Sequence, residues 1–169
     1  MTDKDRYFLL LATGFTLLGA DSCTQERQLC LTPKVAIMNM QTVHFSDSTL
    51  LTVVDTALPA AVIGALPDSV KQLTLYNTGS LFSLSLSPAA DSCKWLVTTD
   101  SLKYSYDTLT FYYQRNLEFL SNACGYTCFY TIKTVSTTHN NIDSVQITNT
   151  NVTNDVKTKH LRVFFHPNF

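Results

Sequence analysis

The segment Ser80–Ser87 reads Ser-Leu-Phe-Ser-Leu-Ser-Leu-Ser and alternates strictly over most of its length. Phe82, Leu84 and Leu86 share one face, and Ser83, Ser85 and Ser87 share the other. A period of two fits a half-buried strand and no helix. The same short apolar pieces recur between polar turns down the chain. They predict strands over Val35–Phe45, Leu50–Asp55, Leu73–Tyr76, Lys94–Thr98, Thr108–Tyr113, Leu117–Ser121, Tyr126–Ser136, Ile142–Asn149 and Lys159–Phe165. Leu109, Phe111 and Tyr113 share a face, and Gln114-Arg115-Asn116 reads as a tight connection into Leu117 and Phe119, a hairpin. Ala57–Ser69, with Pro59, Gly64 and Pro67, reads as the longest irregular connection. Short strands without a convincing long helix predict an all-β domain: an antiparallel, immunoglobulin-like β-sandwich, with a closed β-barrel as the alternative.

Composition supports this. The chain has 169 residues, 45% of them hydrophobic and 15% charged, enough apolar material for one core. Glu26 and Glu118 are the only glutamates, whereas Ser, Thr, Tyr and Phe are plentiful, a balance that disfavours helices. The net charge of −1 offers no basic surplus for a phosphate backbone, so a nucleic-acid partner is not expected.

The N terminus differs from the rest. Tyr7–Ala20 is an apolar run of fourteen residues behind Lys4 and Arg6, and it ends in small residues. That is the layout of a secretory signal, too short to span a bilayer comfortably. Ala20-Asp21-Ser22 permits ordinary cleavage after Ser22. Leu18-Gly19-Ala20-Asp21-Ser22-Cys23 also resembles a loose lipobox, in which Cys23 would carry lipid. Cysteine parity favours the second. Of Cys23, Cys30, Cys93, Cys124 and Cys128, lipidation uses one and leaves four for two disulfides. Removal of residues 1–22 leaves 12 − 2 = 10 basic and 13 − 3 = 10 acidic residues. The expected organisation is a signal peptide over 1–22, a lipidated segment over 23–33, and one β-sandwich domain over 34–169. The membrane would be held through the lipid anchor.

Three pairings of the four cysteines are open: 30–93 with 124–128, 30–124 with 93–128, and 30–128 with 93–124. Cys124 and Cys128 in one extended strand would be about 13 Å apart, beyond disulfide reach unless Gly125 turns sharply. With the strand starting soon after Gly125, Cys128 faces the core with Tyr130 and Ile132 and meets Cys93 beside Trp95, leaving Cys30 for Cys124.

Phe119–Phe165 carries a recognisable pattern. Its parts are Ser121-Asn122-Ala123-Cys124-Gly125, Ile142-Asp143-Ser144-Val145 and the apolar Leu161–Phe165, together with Cys30 soon after Cys23. It resembles a domain-of-unknown-function family of Bacteroidota envelope lipoproteins. The resemblance implies a location in the bacterial cell envelope, outer membrane or periplasm, and carries no activity. Asp followed by Ser or Thr and then an apolar residue or Thr recurs at Ser48, Thr56, Ser69, Ser101, Thr108 and Ser144. This looks like the O-glycosylation motif of exported proteins in that phylum, with Thr56 and Ser69 the best placed; Asp-Ser and Asp-Thr also start turns.

No constellation for catalysis stands out. His160 and His166 share strand parity but lie about 20 Å apart when extended, so no metal site is expected, nor any cofactor. A phosphate loop, nucleophile elbow and HExxH helix are absent. Tyr104, Tyr106 and Tyr112 are candidates for stacking on sugars or meeting a protein partner. The expectation is therefore a non-catalytic binding or structural module of the envelope. A soluble periplasmic protein, or an enzyme with a dispersed site, is the alternative.

Overall fold

A computed structural model describes residues 29–46, 52–58, 61–66, 79–99 and 105–166. The strands among these residues are β1 (Met38–Phe45), β2 (Val53–Asp55), β3 (Val62–Leu66), β4 (Leu81–Leu84), β5 (Ser92–Thr98), β6 (Asp107–Ser121), β7 (Gly125–Ser136), β8 (Ile142–Ile147), β9 (Asn151–Val152) and β10 (Leu161–Phe165). They form two five-stranded sheets packed face to face, with no helix and no closed barrel among the described residues. The first sheet runs β2-β1-β10-β8, and β4 continues the edge of β1 that β2 begins. The second runs β3-β5-β6-β7-β9.

The sandwich is as expected; its connectivity differs in one respect. β1 and β10 pair in parallel, Met40 opposite Leu161 and Val43 opposite Phe164, so the first sheet is mixed rather than antiparallel. The parallel pair joins strands from the two ends of the domain, and local pattern does not report such pairing.

The alternation seen in the sequence supplies the core. Phe82, Leu84 and Leu86 are buried from one sheet, and Leu109, Phe111 and Tyr113 from the other. Met38, Met40, Leu161, Val163 and Phe165 meet Ile63, Trp95, Val97, Ile132 and Val152 between the layers. β1 is covered on both faces: Asn39 and Gln41 are as buried as the methionines. The Asn39 amide donates to the carbonyls of Val156 and Thr158 at 2.9 and 2.8 Å and accepts from Ser83 Oγ at 2.8 Å, which lets it sit inside; Gln41 donates to Asp55 at 2.5 Å, while its Oε1 is buried without a partner.

Two expected boundaries shift. Gln114-Arg115-Asn116 makes no turn; β6 runs through it for fifteen residues, and the hairpin reverses at 122–124. The irregular stretch 57–69 contains β3, which pairs with β5 from Val62↔Thr98 to Leu66↔Lys94. The predicted strand at 73–76 lies outside the described residues.

Two buried polar groups hold the layers in place. His160 accepts the Asn39 backbone N–H on Nδ1 at 3.0 Å, and its Nε2–H donates to the Asn151 carbonyl at 3.0 Å. The first contact fixes the tautomer, and together they bridge β1 to β9 across the sheets. Burial pushes this imidazole below its usual pKa, against smaller opposing effects of the Asn151 carbonyl and Asp155. Asp107 is fully buried at the start of β6. Its carboxylate accepts from Thr138 Oγ1 (2.8 Å), Asn140 N (2.6 Å), Asn141 N (2.7 Å), Asn141 Nδ2 (3.3 Å) and Ile142 N (3.2 Å), shaping the connection from β7 to β8. His139 in that connection has φ 55°.

Candidate functional site

β6 and β7 are much longer than their neighbours and project as a hairpin beyond the second strand layer. β5 pairs with β6 only as far as Tyr112, and β9 with β7 only at Tyr130 and Thr131, whereas β6 and β7 pair from Thr110↔Ser136 to Ser121↔Gly125. The turn is built from its sequence. Ser121 Oγ accepts the Cys124 N–H at 3.0 Å, and Gly125 takes a left-handed φ of 69°, which a residue with a Cβ adopts at a cost. The reversal therefore falls at Ser-Asn-Ala-Cys-Gly.

Cys124, in this turn, is bonded to Cys30 across a sequence separation of 94, with a Cα–Cα distance of 4.8 Å. The bond fastens residues 29–37 to the hairpin. Thr127 Oγ1 donates to the Lys34 carbonyl, Ile37 N donates to the Thr153 carbonyl at 3.2 Å, and the Asn154 amide donates to the Pro33 carbonyl at 3.2 Å. Between this segment and β7 lies a groove of about 260 Å³, lined by Lys34, Val35, Leu86, Pro88, Cys128 and Tyr130 among others.

The second expected disulfide does not form: Cys93 and Cys128 are free and half-buried. Cys93 lies on β5 opposite Phe111 of β6, and Cys128 on β7 opposite Leu117 of β6. A whole strand separates them, about 9.5 Å between strand axes, and their partners on β6 are six residues apart. That exceeds the Cα separation of about 4.4–6.8 Å that a disulfide tolerates. The expected orientation of Cys128 toward the core is found, with Tyr130 and Ile132 buried beside it. Burial pushes the Cys93 thiol up, opposed by hydrogen bonding with Tyr113, Ser87 and Trp95. It also pushes up the phenols of Tyr113 and Tyr130, whose rings meet edge to face at 5.3 Å. Tyr113 OH takes the Ser87 N–H at 2.9 Å and donates to the Ser87 carbonyl at 3.1 Å, and Tyr130 OH donates to the Leu86 carbonyl at 3.3 Å. These groups are neutral donors at neutral pH and tie the hairpin base to the loop after β4.

Beyond that base the same face turns apolar and open. Tyr113, Arg115, Leu117 and Phe119 follow one another on β6, opposite Ile132, Tyr130, Cys128 and Tyr126 of β7. Arg115 is engaged by Asp91 at 2.6 Å and by the Pro88 carbonyl at 3.0 Å. Past it, Leu117 is 72% exposed, Phe119 54% and Tyr126 65%, with the Phe119 and Tyr126 rings 5.2 Å apart. Leu29 and Leu31, on either side of the disulfide, are 84% and 90% exposed. Leu117 and Phe119 alternate as on a buried strand face; the overhang makes that face a surface.

The other candidates are dispersed. Cys23, Ser48, Ser69, Ser101 and Tyr104 lie outside the described residues. Thr56 is 8% exposed, and its hydroxyl is bonded to His44 Nδ1 at 2.6 Å. Thr108 sits mid-sheet on the outward face of β6, and Ser144 is exposed on β8, an edge strand. Tyr106 and Tyr112 are exposed, and Trp95 is in the core. His166 pairs with Asp143 at 2.6 Å. Among the described residues no group of three or more His, Cys, Asp or Glu is placed to hold a metal ion, and no helix is long and apolar enough to cross a membrane.

A protein-family model described as a family of unknown function, DUF6452, matches residues 60–165. The chain belongs to this family. No curated protein and no solved structure matches it. The matched DUF6452 region holds β3 to β10, and with them the whole projecting hairpin.

Proposed function

We propose that the chain is a lipid-anchored protein of the bacterial cell envelope that acts as a non-catalytic binding or structural module. The observation that carries this reading is the Cys30–Cys124 bond. Disulfides persist in oxidising compartments and are rare in the cytosol. This one fastens to the domain the segment that follows an export-like apolar run and Cys23. Cys93 and Cys128 are also free of disulfides but lie within β5 and β7, whereas Cys23 ends the lipobox-like segment and is the cysteine placed for lipid. Neutral, buried thiol and phenol groups at the hairpin base suit packing rather than nucleophilic chemistry.

The resemblance to Bacteroidota lipoproteins supports the same location. The test is phase partitioning of the full chain produced with its own N terminus in an envelope-competent bacterium. Wild type enters the detergent phase, and Cys23→Ser accumulates in the aqueous or precursor pool. A wild-type chain found wholly in the aqueous phase with Ser22 removed would make it a freely periplasmic protein instead.

A further inference from the structure

We infer that the exposed face of the β6–β7 hairpin, Leu117, Phe119 and Tyr126 with Leu29 and Leu31 beside it, rests on the lipid bilayer surface and sets the orientation of the anchored domain. The inference deepens the proposed function and rests on its anchored N terminus.

Three observations converge. The first is reach. Cys23 precedes Cys30 by seven residues, which span at most about 25 Å, and Cys30 is held 4.8 Å (Cα–Cα) from Cys124 in the hairpin turn. The end of the molecule nearest the anchor is therefore this turn. The second is chemistry. Leu117, Phe119, Tyr126 and Cys128 form one face, by their cross-strand pairing. Glu118 falls on the opposite face, and the charge of Arg115 is met by Asp91. Large apolar side chains grouped in the open like these are uncommon on the surface of a free protein, tyrosine favours the membrane–water boundary, and Lys34, which lines the groove beside Cys128, suits anionic headgroups. The third is the N-terminal strap. Leu29 and Leu31 flank the disulfide and add two exposed apolar side chains beside the hairpin turn.

The backbone limits the depth. Past Tyr112, β6 has β7 as its partner on one side and no strand on the other among the described residues, so its outward amides need water. The side chains dip into the headgroup boundary, and the strands stay above it. The domain then stands upright on its hairpin, with Tyr106, at the opposite end of β6, pointing away from the membrane.

The chain has one tryptophan, Trp95, which pairs with Leu109, ten residues or about 33 Å up the strand from Phe119. This makes depth measurable. Full-length wild type, Phe119→Trp, Tyr126→Trp and Tyr106→Trp are reconstituted in phosphatidylethanolamine–phosphatidylglycerol vesicles, with or without lipids brominated near the headgroup. Vesicle flotation is recorded in parallel. The inference expects all four proteins to float with the vesicles. The part of the emission that comes from the added tryptophan should be lost to bromine in Phe119→Trp and Tyr126→Trp, and emission should be unchanged in wild type and Tyr106→Trp. Flotation with no quenching at positions 119 and 126 overturns the inference, leaves the anchor intact, and reassigns the face to a protein partner. Equal quenching at 119 and 106 also overturns it, since the domain would then have no fixed orientation. Failure to float removes the anchored reading, and the inference with it.

Discussion

Asp107→Ala should be among the most damaging single substitutions in the domain. The carboxylate is fully buried and receives five hydrogen bonds, three of them from the consecutive backbone amides of Asn140, Asn141 and Ile142. Alanine leaves those amides without their acceptor. Ile142 is itself fully buried, so its N–H stays dry and unpaired, at about 1–3 kcal/mol. Asn140 and Asn141 are more open, and water replaces part of what they lose, so each adds about 1 kcal/mol. The sum is about 3–5 kcal/mol, against a typical total of about 5–15 for a domain. Asp107→Asn keeps the shape but turns one acceptor into a donor facing N–H groups, for about 2 kcal/mol. Urea unfolding followed by circular dichroism reads both, with the midpoint lowered at constant slope. Hydrogen exchange at the Ile142 amide should accelerate in step. If Asp107→Ala stays within about 0.5 kcal/mol of wild type, the carboxylate does not shape the 137–142 connection and the reasoning fails.

Cys30→Ser opens a 94-residue separation, and loop entropy sets the loss at about 4–5 kcal/mol at most, read as a lower melting temperature that reductant no longer changes. Because folding depresses the His160 pKa, the unfolded chain takes up a proton near pH 6.5 that the folded one resists; stability should fall from about pH 6.5 toward the lower folded value, and less steeply in His160→Gln. With its thiol pushed up by burial, Cys93 should react with thiol reagents at pH 8 far more slowly in the folded than in the denatured chain, and equal rates would contradict its placement. If the Asp-Ser and Asp-Thr motifs carry glycan in the native host, Ser144→Ala should remove hexose-type mass and Thr56→Ala should not, since the Thr56 hydroxyl is buried against His44.

Where strands were legible, one face was buried and the other wet. Phe82, Leu84 and Leu86 alternate with serines because β4 lies on the core with its outer face in water. Where strands were missed, the environment departs from that rule. Val62–Leu66 carries Gly64 and stands near two prolines, local signals of a loop, yet pairing with five residues of β5 overrides them. Gln114-Arg115-Asn116 resembles a turn because three polar residues interrupt the apolar pattern. β6 continues because β7 pairs with it through these residues and on to Ser121, and Arg115 is met by Asp91. The Cys30–Cys124 link follows in the sequence only as what remains once Cys128 is given to Cys93, and it forms without that second bond. The Cys93–Cys128 link failed because it needed β5 and β7 to be neighbours, and strand order is not written in local sequence. His160 gave no local sign of its role, since its two partners lie in β1 and β9.

The match to DUF6452 begins at residue 60, yet the physical unit begins earlier. β1 is the strand on which β2, β4 and β10 all pair, and it brings Met38 and Met40 into the core. Without it, β10 would keep only β8 on one side, and β4 would have no partner among the described strands. His160, inside the matched region, would lose the Asn39 amide that fixes its tautomer. The disulfide reaches further still, since Cys124 of the matched hairpin is closed by Cys30. Residues 60–165 thus contain all five strands of the second sheet but depend on residues 30–45 to complete the first. β1, covered on both faces, can satisfy its neighbours with many apolar and hydrogen-bonded polar side chains, whereas the hairpin turn needs its serine, cysteine and glycine where they stand.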